Sequence, residues 1–153
     1  MRPMVHARQR WLIGLLIGLA ASLLLSDGSA SWADMKANKV STAVFTDTQG
    51  VETEVRNVLF YWEEKVSETA YVPHELRQIP VKRGSGTVNV KFDTIRQIDV
   101  APPSDKILPI LTITLTNGKT AEFALATAGS FKGESDFGEI NIPVNGLKKI
   151  VFK

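Results

Sequence analysis

The sequence predicts an all-β protein: a single domain of about eight short antiparallel strands, preceded by an N-terminal signal helix. Three observations lead to this fold class. Apolar and polar residues alternate with a period of two, glycine-containing turn pairs separate the alternating runs, and two blocks of sequence recur in the same order. The alternation is compatible with either a β-sandwich or a small barrel.

The first 33 residues have the pattern of a secretory signal peptide. Three arginines precede an uncharged apolar run at residues 11–25, and small and polar residues follow it. We expect cleavage after Ala33, with cleavage after Ala30 as an alternative. The other alternative is an uncleaved anchor, for which the run is short, because a membrane-spanning helix needs about 20 apolar residues. The pattern therefore predicts an exported protein, periplasmic or extracellular.

Composition narrows the functions open to the remaining chain. The leader carries three of the 18 Lys and Arg residues and one of the 16 Asp and Glu residues, which leaves 15 of each. A neutral domain is not typical of a nucleic-acid binder. The chain has no cysteine, and His74 is its only histidine beyond the leader, which excludes most metal and nucleophile arrangements. We therefore predict no catalytic residues, no metal and no cofactor, and favour a noncatalytic protein.

The internal repeat organises the rest of the chain. One pair of blocks matches at an offset of 68 residues and a second pair at an offset of 52; the matched blocks are 46–55 with 114–123 and 86–100 with 138–152. After a lead-in at 34–43, the all-β domain is expected at 44–153, and its two diverged copies at 44–100 and 112–152. Copies this small lack a sufficient core alone, so we expect the two to share one interior.

Each block has its own β signature. Leucine and isoleucine alternate with threonine from Leu111 to Thr116, as in a half-buried strand, and Asn117-Gly118 supplies a tight hairpin turn. In the second pair of blocks, alternating strands end at the turn pairs Asp93-Thr94 and Asn145-Gly146, each followed by a last strand. Pro143 cannot donate to a ladder, so its strand is expected at an edge or at a bulge.

The two copies differ by about 16 residues, which we place within 62–85 of the first copy. Loops added to a scaffold often carry binding residues, and a short helix was considered from Pro73. The candidate binding residues in and beside this insertion are Tyr61, Trp62, Tyr71, His74, Lys82 and Arg83. Alternatively, the insertion only covers a sheet edge and its aromatic rings fill the end of the core.

The pattern G-x-I-N-I-P-V-x-x-L-K-K-I-x-F at residues 138–152, with the preceding segment 131–138, resembles a short β-repeat of uncharacterised exported bacterial proteins. The resemblance covers residues 110–153 well and 44–100 less well. It implies turn, core and strand positions only, and it implies no activity, catalytic site or cofactor.

Three functions remain open at this point. The favoured one is an exported noncatalytic β module that binds another envelope protein or an envelope glycan. The second is a cell-wall glycan or peptide hydrolase that uses loop carboxylates such as Glu134 and Asp136. The third is a membrane-anchored structural protein, held through the leader alone. No nucleic-acid partner is expected, and the oligomeric state is open.

Overall fold

A computed structural model describes residues 39–102, 104–105 and 108–153. The predicted signal helix at 1–33 lies outside the described residues. Within them the chain forms strands joined by turns, with a 3₁₀ turn at Phe92–Thr94 and another at Val144–Gly146. The strands are β1 (Thr42–Asp47), β2 (Glu52–Lys65), β3 (Tyr71–Leu76), β4 (Gln78–Arg83), β5 (Gly86–Lys91), β6 (Ile95–Val100), β7 (Ile110–Leu115), β8 (Thr120–Leu125), β9 (Ser130–Ser135), β10 (Gly138–Pro143) and β11 (Leu147–Phe152).

The predicted all-β antiparallel fold is confirmed. The described strands form one sheet in the order β10-β9-β2-β1-β11-β6-β7-β8-β4-β5, and β3 pairs with the distal half of β2. This hydrogen-bonded path has two ends, so the sheet is single and unclosed. Its eleven strands exceed the predicted eight, because Pro80, Pro73 and Gly133 interrupt the sequence pattern of the three strands that were missed. The helix considered from Pro73 was wrong, since Pro73 lies within β3.

The sheet curls around one apolar core. Phe131 of β9 packs edge-on against Phe45 of β1 and Phe60 of β2, with ring centroids 5.9 and 5.6 Å apart. Phe92, directly after β5 at one end of the sheet, lies 5.9 Å from Phe131, next to the other end. Opposite ends of the sheet therefore meet at Phe131. Among the described residues every fully buried side chain is apolar, so the core is held by burial of hydrophobic surface.

The strand bounds repeat at the two offsets seen in the sequence. β7 and β8 begin at 110 and 120, which is 68 residues after β1 and β2 would begin at 42 and 52. β9, β10 and β11 begin at 130, 138 and 147, each 52 residues after β4, β5 and β6. By these bounds, the additional residues of the first half are 58–77, which overlap the predicted 62–85 in part. They form the distal half of β2 and the whole of β3.

Exchanging the two halves reverses the sheet order onto itself, so the sheet has an approximate twofold axis. The axis passes between β6 and β11, where Ile98 pairs with Ile150, its counterpart at an offset of 52. The second hairpin of each half pairs with the first hairpin of the other: β9 joins β2, and β4 joins β8. The two halves are thus interlocked and contribute to one core cluster.

The junction of β2 and β9 depends on a bulge and a glycine. Asn57 has a φ of +54°, and the register shifts between Arg56 and Leu59. β9 passes so close to this bulge that a Cβ on Gly133 would lie 2.3 Å from the Val55 side chain and 2.7 Å from the Arg56 carbonyl oxygen. Only glycine allows this approach.

The sheet ends at two edge strands. β10 pairs only with β9, and it carries Pro143 opposite Ser130. The edge position predicted for this proline is confirmed, as its missing N–H requires. At the other end β5 pairs only with β4, which leaves one backbone edge of residues 86–91 unpaired within the described sheet.

Candidate functional site

Four of the predicted site residues lie on the ribbon formed by residues 60–65 of β2 and β3. One face of this ribbon turns toward the core. There Trp62 stacks on His74, its cross-strand partner, with ring centroids 4.5 Å apart and an angle of 13° between the planes. His74 Nε2 lies 3.0 Å from the Glu64 carboxylate. Trp62 packs against the core cluster, and its Nε1 is buried without a hydrogen-bond partner among the described residues.

The other face of the ribbon carries a polar network around Tyr61. The Tyr61 hydroxyl donates a hydrogen bond of 2.5 Å to Glu63, and the Lys132 ammonium lies 3.9 Å from the centroid of the Tyr61 ring. Lys132 Nζ also lies 3.8 Å from the Glu75 carboxylate. The hydrogen bond to Glu63 raises the pKa of Tyr61, and desolvation and the negative charges of Glu63 and Glu75 raise it further. Tyr71, at the end of the ribbon, is exposed.

A cleft of about 690 Å³ lies at the opposite end of the sheet, between the edge strand β5 and the β7–β8 hairpin. Its volume is within the usual range of about 300–1,000 Å³ for small-molecule sites. The side chains that face it are mainly apolar: Val88, Val90, Ile113, Leu115, Ala121 and Phe123. Since β5 is paired on one side only, the cleft opens along the free edge of that strand.

Three basic residues also line this cleft, and we call them the cationic rim: Arg83, Lys91 and Lys119. Arg83 ends β4, Lys91 ends β5, and Lys119 follows the Asn117-Gly118 turn that leads into β8. None of the three side chains forms an ion pair or hydrogen bond with another described residue; the ion pairs within those residues involve other cations.

The twofold-related region of the other half has a different interior. Phe45 and Phe131 stand there in the positions that Ile113 and Ile79 occupy beside the cleft, by the offsets of 68 and 52. The two rings contact each other and are fully buried. The larger side chains therefore occupy interior space that the smaller isoleucines leave beside the cleft.

The structure separates the predicted site residues. Tyr61, Trp62, Tyr71 and His74 share the ribbon, whereas Lys82 and Arg83 lie on β4. Of these six residues, Arg83 alone lines the cleft. Sequence reasoning missed Lys91, Lys119 and the apolar lining, although the repeat alignment placed Lys91 opposite Pro143 and so contained a signal.

The carboxylates considered for a hydrolase lie at the β9–β10 turn. Asp136 is exposed and pairs with Arg56 at 3.0 Å. Glu134 is exposed on β9, and neither carboxylate lines the cleft. In the described part of the chain, no group of three or more His, Asp or Glu side chains could hold a metal ion. No helix formed by these residues has the length and apolarity to cross a bilayer.

Comparison with known proteins adds a family. No curated protein matches the chain. Residues 38–153 match a protein-family model described as "Uncharacterised protein", and this segment contains the whole sheet, the ribbon and the cleft. The chain belongs to that uncharacterised protein family.

Proposed function

We propose that this protein is an exported, noncatalytic binding module whose binding site is the cleft between β5 and the β7–β8 hairpin. The observation that carries the proposal is an apolar cleft of about 690 Å³ in a sheet that elsewhere buries its large side chains. Water gains little from such a surface, so a ligand with an apolar body is stabilised by burying it. The signal-peptide pattern at residues 1–33 supports export.

The proposal changes the weight given to the predicted binding residues. On the ribbon, Trp62 and His74 stack on each other, and Tyr61 is engaged by Glu63 and Lys132. These rings already have partners within the protein. The cleft side chains Val88 and Val90 lie on an edge strand with open space before them, so they gain contacts when a ligand binds.

The test is binding of an uncharged apolar fluorophore, N-phenyl-1-naphthylamine, to the protein expressed from its complete sequence. We expect saturable binding with one site per chain. Ala121→Trp places an indole in the cleft and should weaken binding about tenfold or more, since it removes much of the buried apolar area. Glu122→Trp is the matched control, because the neighbouring side chain on β8 points to the opposite face.

Three results would count against the proposal. The first is no saturable binding to the unmodified protein. The second is an equal effect of the two tryptophan substitutions. The third is a loss of binding in Tyr71→Ala together with full binding in Ala121→Trp, which would return the site to the ribbon. Mass spectrometry of the protein recovered outside the cytoplasm tests export, with an N-terminus at Ser31 or Asp34 expected and an intact Met1 contradicting it.

A further inference from the structure

The cationic rim gives the ligand a second chemical property. We propose that the cleft binds a single-chain amphiphile whose anionic head group is held by Arg83, Lys91 and Lys119 while its hydrocarbon chain lies along the apolar lining. This inference rests on the proposed function and adds the class of ligand. The observation behind it is the juxtaposition of three basic side chains with six apolar ones in one cleft.

The basic residues have no carboxylate to balance them in the described structure. Long basic side chains commonly lie along apolar surfaces with their charged ends in water, and one such residue would need no further explanation. Here three positive charges line the same opening, and none is paired with a described acidic side chain. Like charges that share an opening repel one another, and an anion between them relieves that repulsion.

The other half of the protein provides an internal comparison. At the positions related by the two offsets, Arg83 corresponds to Ser135, Lys91 to Pro143 and Lys119 to Val51. All three counterparts are uncharged. The backbone of this fold therefore does not require a cation at any of the three positions. The charges occur together in the half that has the cleft, where the twofold-related interior contains Phe45 and Phe131 instead.

The geometry of the cleft suits a chain better than a compact ligand. The lining extends from Arg83, at the end of β4, along residues 88–91 of β5 to Thr94, and the opposite wall is formed by two strands. Arginine can donate two parallel hydrogen bonds to a carboxylate or phosphate, and lysine contributes a point charge. The shared chemistry of the head group is thus an anionic oxygen group at one end of a hydrocarbon chain.

The experiment compares two ligands that differ in charge and share a chain length: dodecanoate and 1-dodecanol, each below its micelle concentration. Displacement of N-phenyl-1-naphthylamine measures both affinities. The test variant carries Arg83→Gln, Lys91→Gln and Lys119→Gln. The matched control carries Lys82→Gln, Arg96→Gln and Lys148→Gln, which removes the same number of charges from exposed positions outside the cleft.

We expect the rim variant to bind dodecanoate at least about tenfold more weakly, the effect of losing one or two charge-assisted hydrogen bonds. Its affinity for 1-dodecanol should stay within about twofold, and the control variant should bind both ligands as the unmodified protein does. Added salt should weaken the binding of dodecanoate and leave that of 1-dodecanol unchanged, because the rim is open to solvent. Dodecyl phosphate in the same assay tells which anionic head group binds more tightly.

The outcomes separate this inference from the proposed function. Unchanged dodecanoate binding in the rim variant, or an equal loss in the control, would overturn the inference while the cleft remained a binding site. No binding of fluorophore, dodecanoate or 1-dodecanol by the unmodified protein would overturn both. A peptide of alternating Val and Glu that bound along the free edge of β5, with no competition from dodecanoate, would replace the amphiphile with a protein partner.

Discussion

Replacement of Phe131 by alanine tests whether the two ends of the sheet are held together at one side chain. Phe131 is fully buried and contacts the rings of Phe45, Phe60 and Phe92 at centroid distances of 5.6 to 5.9 Å. Its removal loses the transfer free energy of a phenyl group and leaves a cavity among rings that cannot all move inward. We expect the free energy of unfolding to fall by about 3–5 kcal/mol, the usual cost of a buried Phe→Ala change.

The loss is large beside the total of about 5–15 kcal/mol that stabilises a typical domain. With a urea slope near 2 kcal/mol per M, the midpoint should fall by about 2 M. Unfolding is followed by the fluorescence of Trp62, which packs against the core. Phe137→Ala is the matched control, because Phe137 is fully exposed at the β9–β10 turn, and it should change stability by less than about 0.5 kcal/mol.

A cost below about 1 kcal/mol for Phe131→Ala, or a cost equal to that of the control, would refute the account of the core. Phe131→Leu keeps the test informative where the alanine variant does not fold, since it removes less volume and should cost less than alanine. A leucine variant as unstable as an unfolded chain would show a specific requirement for the ring that hydrophobic burial does not explain.

The remaining predictions concern the β2–β9 junction and the ribbon. Gly133→Ala should lower the free energy of unfolding by about 1–3 kcal/mol, because the new methyl group meets the β2 backbone; Gly86→Ala, where a Cβ meets nothing closer than 3.6 Å, is the control in the same urea assay and should be neutral. Tyr61 should ionise above the ordinary value of about 10 in an absorbance titration at alkaline pH, and Glu63→Gln should lower its pKa. Because the folded-state pKa is the higher one, the stability that this hydrogen bond contributes is present below pH 10 or so and falls as the pH rises through the pKa of Tyr61; a pKa unchanged in Glu63→Gln would contradict the assignment.

The parts of the fold that the sequence predicted well are those with strict local periodicity. The strands β1, β7 and β8 alternate cleanly around glycine turns, with Gly50 and Gly118 at φ values of +86° and +90°, and the turn chemistry locates them. The strands β4 and β9 were missed because each contains a residue that usually ends a strand. Pro80 of β4 and Gly133 of β9 are tolerated through tertiary contacts that no local pattern reports.

The connection after β5 was predicted as a hairpin turn for a similar reason. Asp93-Thr94 has the composition of a turn, yet the chain makes a 3₁₀ turn and leaves β5, and the next strand pairs with β7 and β11 instead. Turn residues specify that the chain changes direction and do not specify which strand becomes the neighbour. Strand order in this sheet is set by the shared core, which depends on residues far apart in the sequence.

The cleft could not be located from the sequence for a related physical reason. Its walls come from β5, β7 and β8, and Val88 is separated from Phe123 by 35 residues. The aromatic residues of the insertion drew attention as candidate ligand contacts, but the structure gives Trp62 and His74 each other as partners. Comparison of the two copies at the rim positions was the available signal, because three cations there face three uncharged residues.

The position of β11 has a consequence for how the protein comes into being. This strand is the last in the sequence and lies in the middle of the sheet, between β1 and β6. While the chain is still emerging from the ribosome, its earlier hairpins therefore have no central strand to assemble on, and their contacts are of the distant kind that form slowly. A chain awaiting its final six residues remains extended enough to be threaded through a narrow pore, and the loss of those residues by premature termination would remove the middle of the sheet and not its margin.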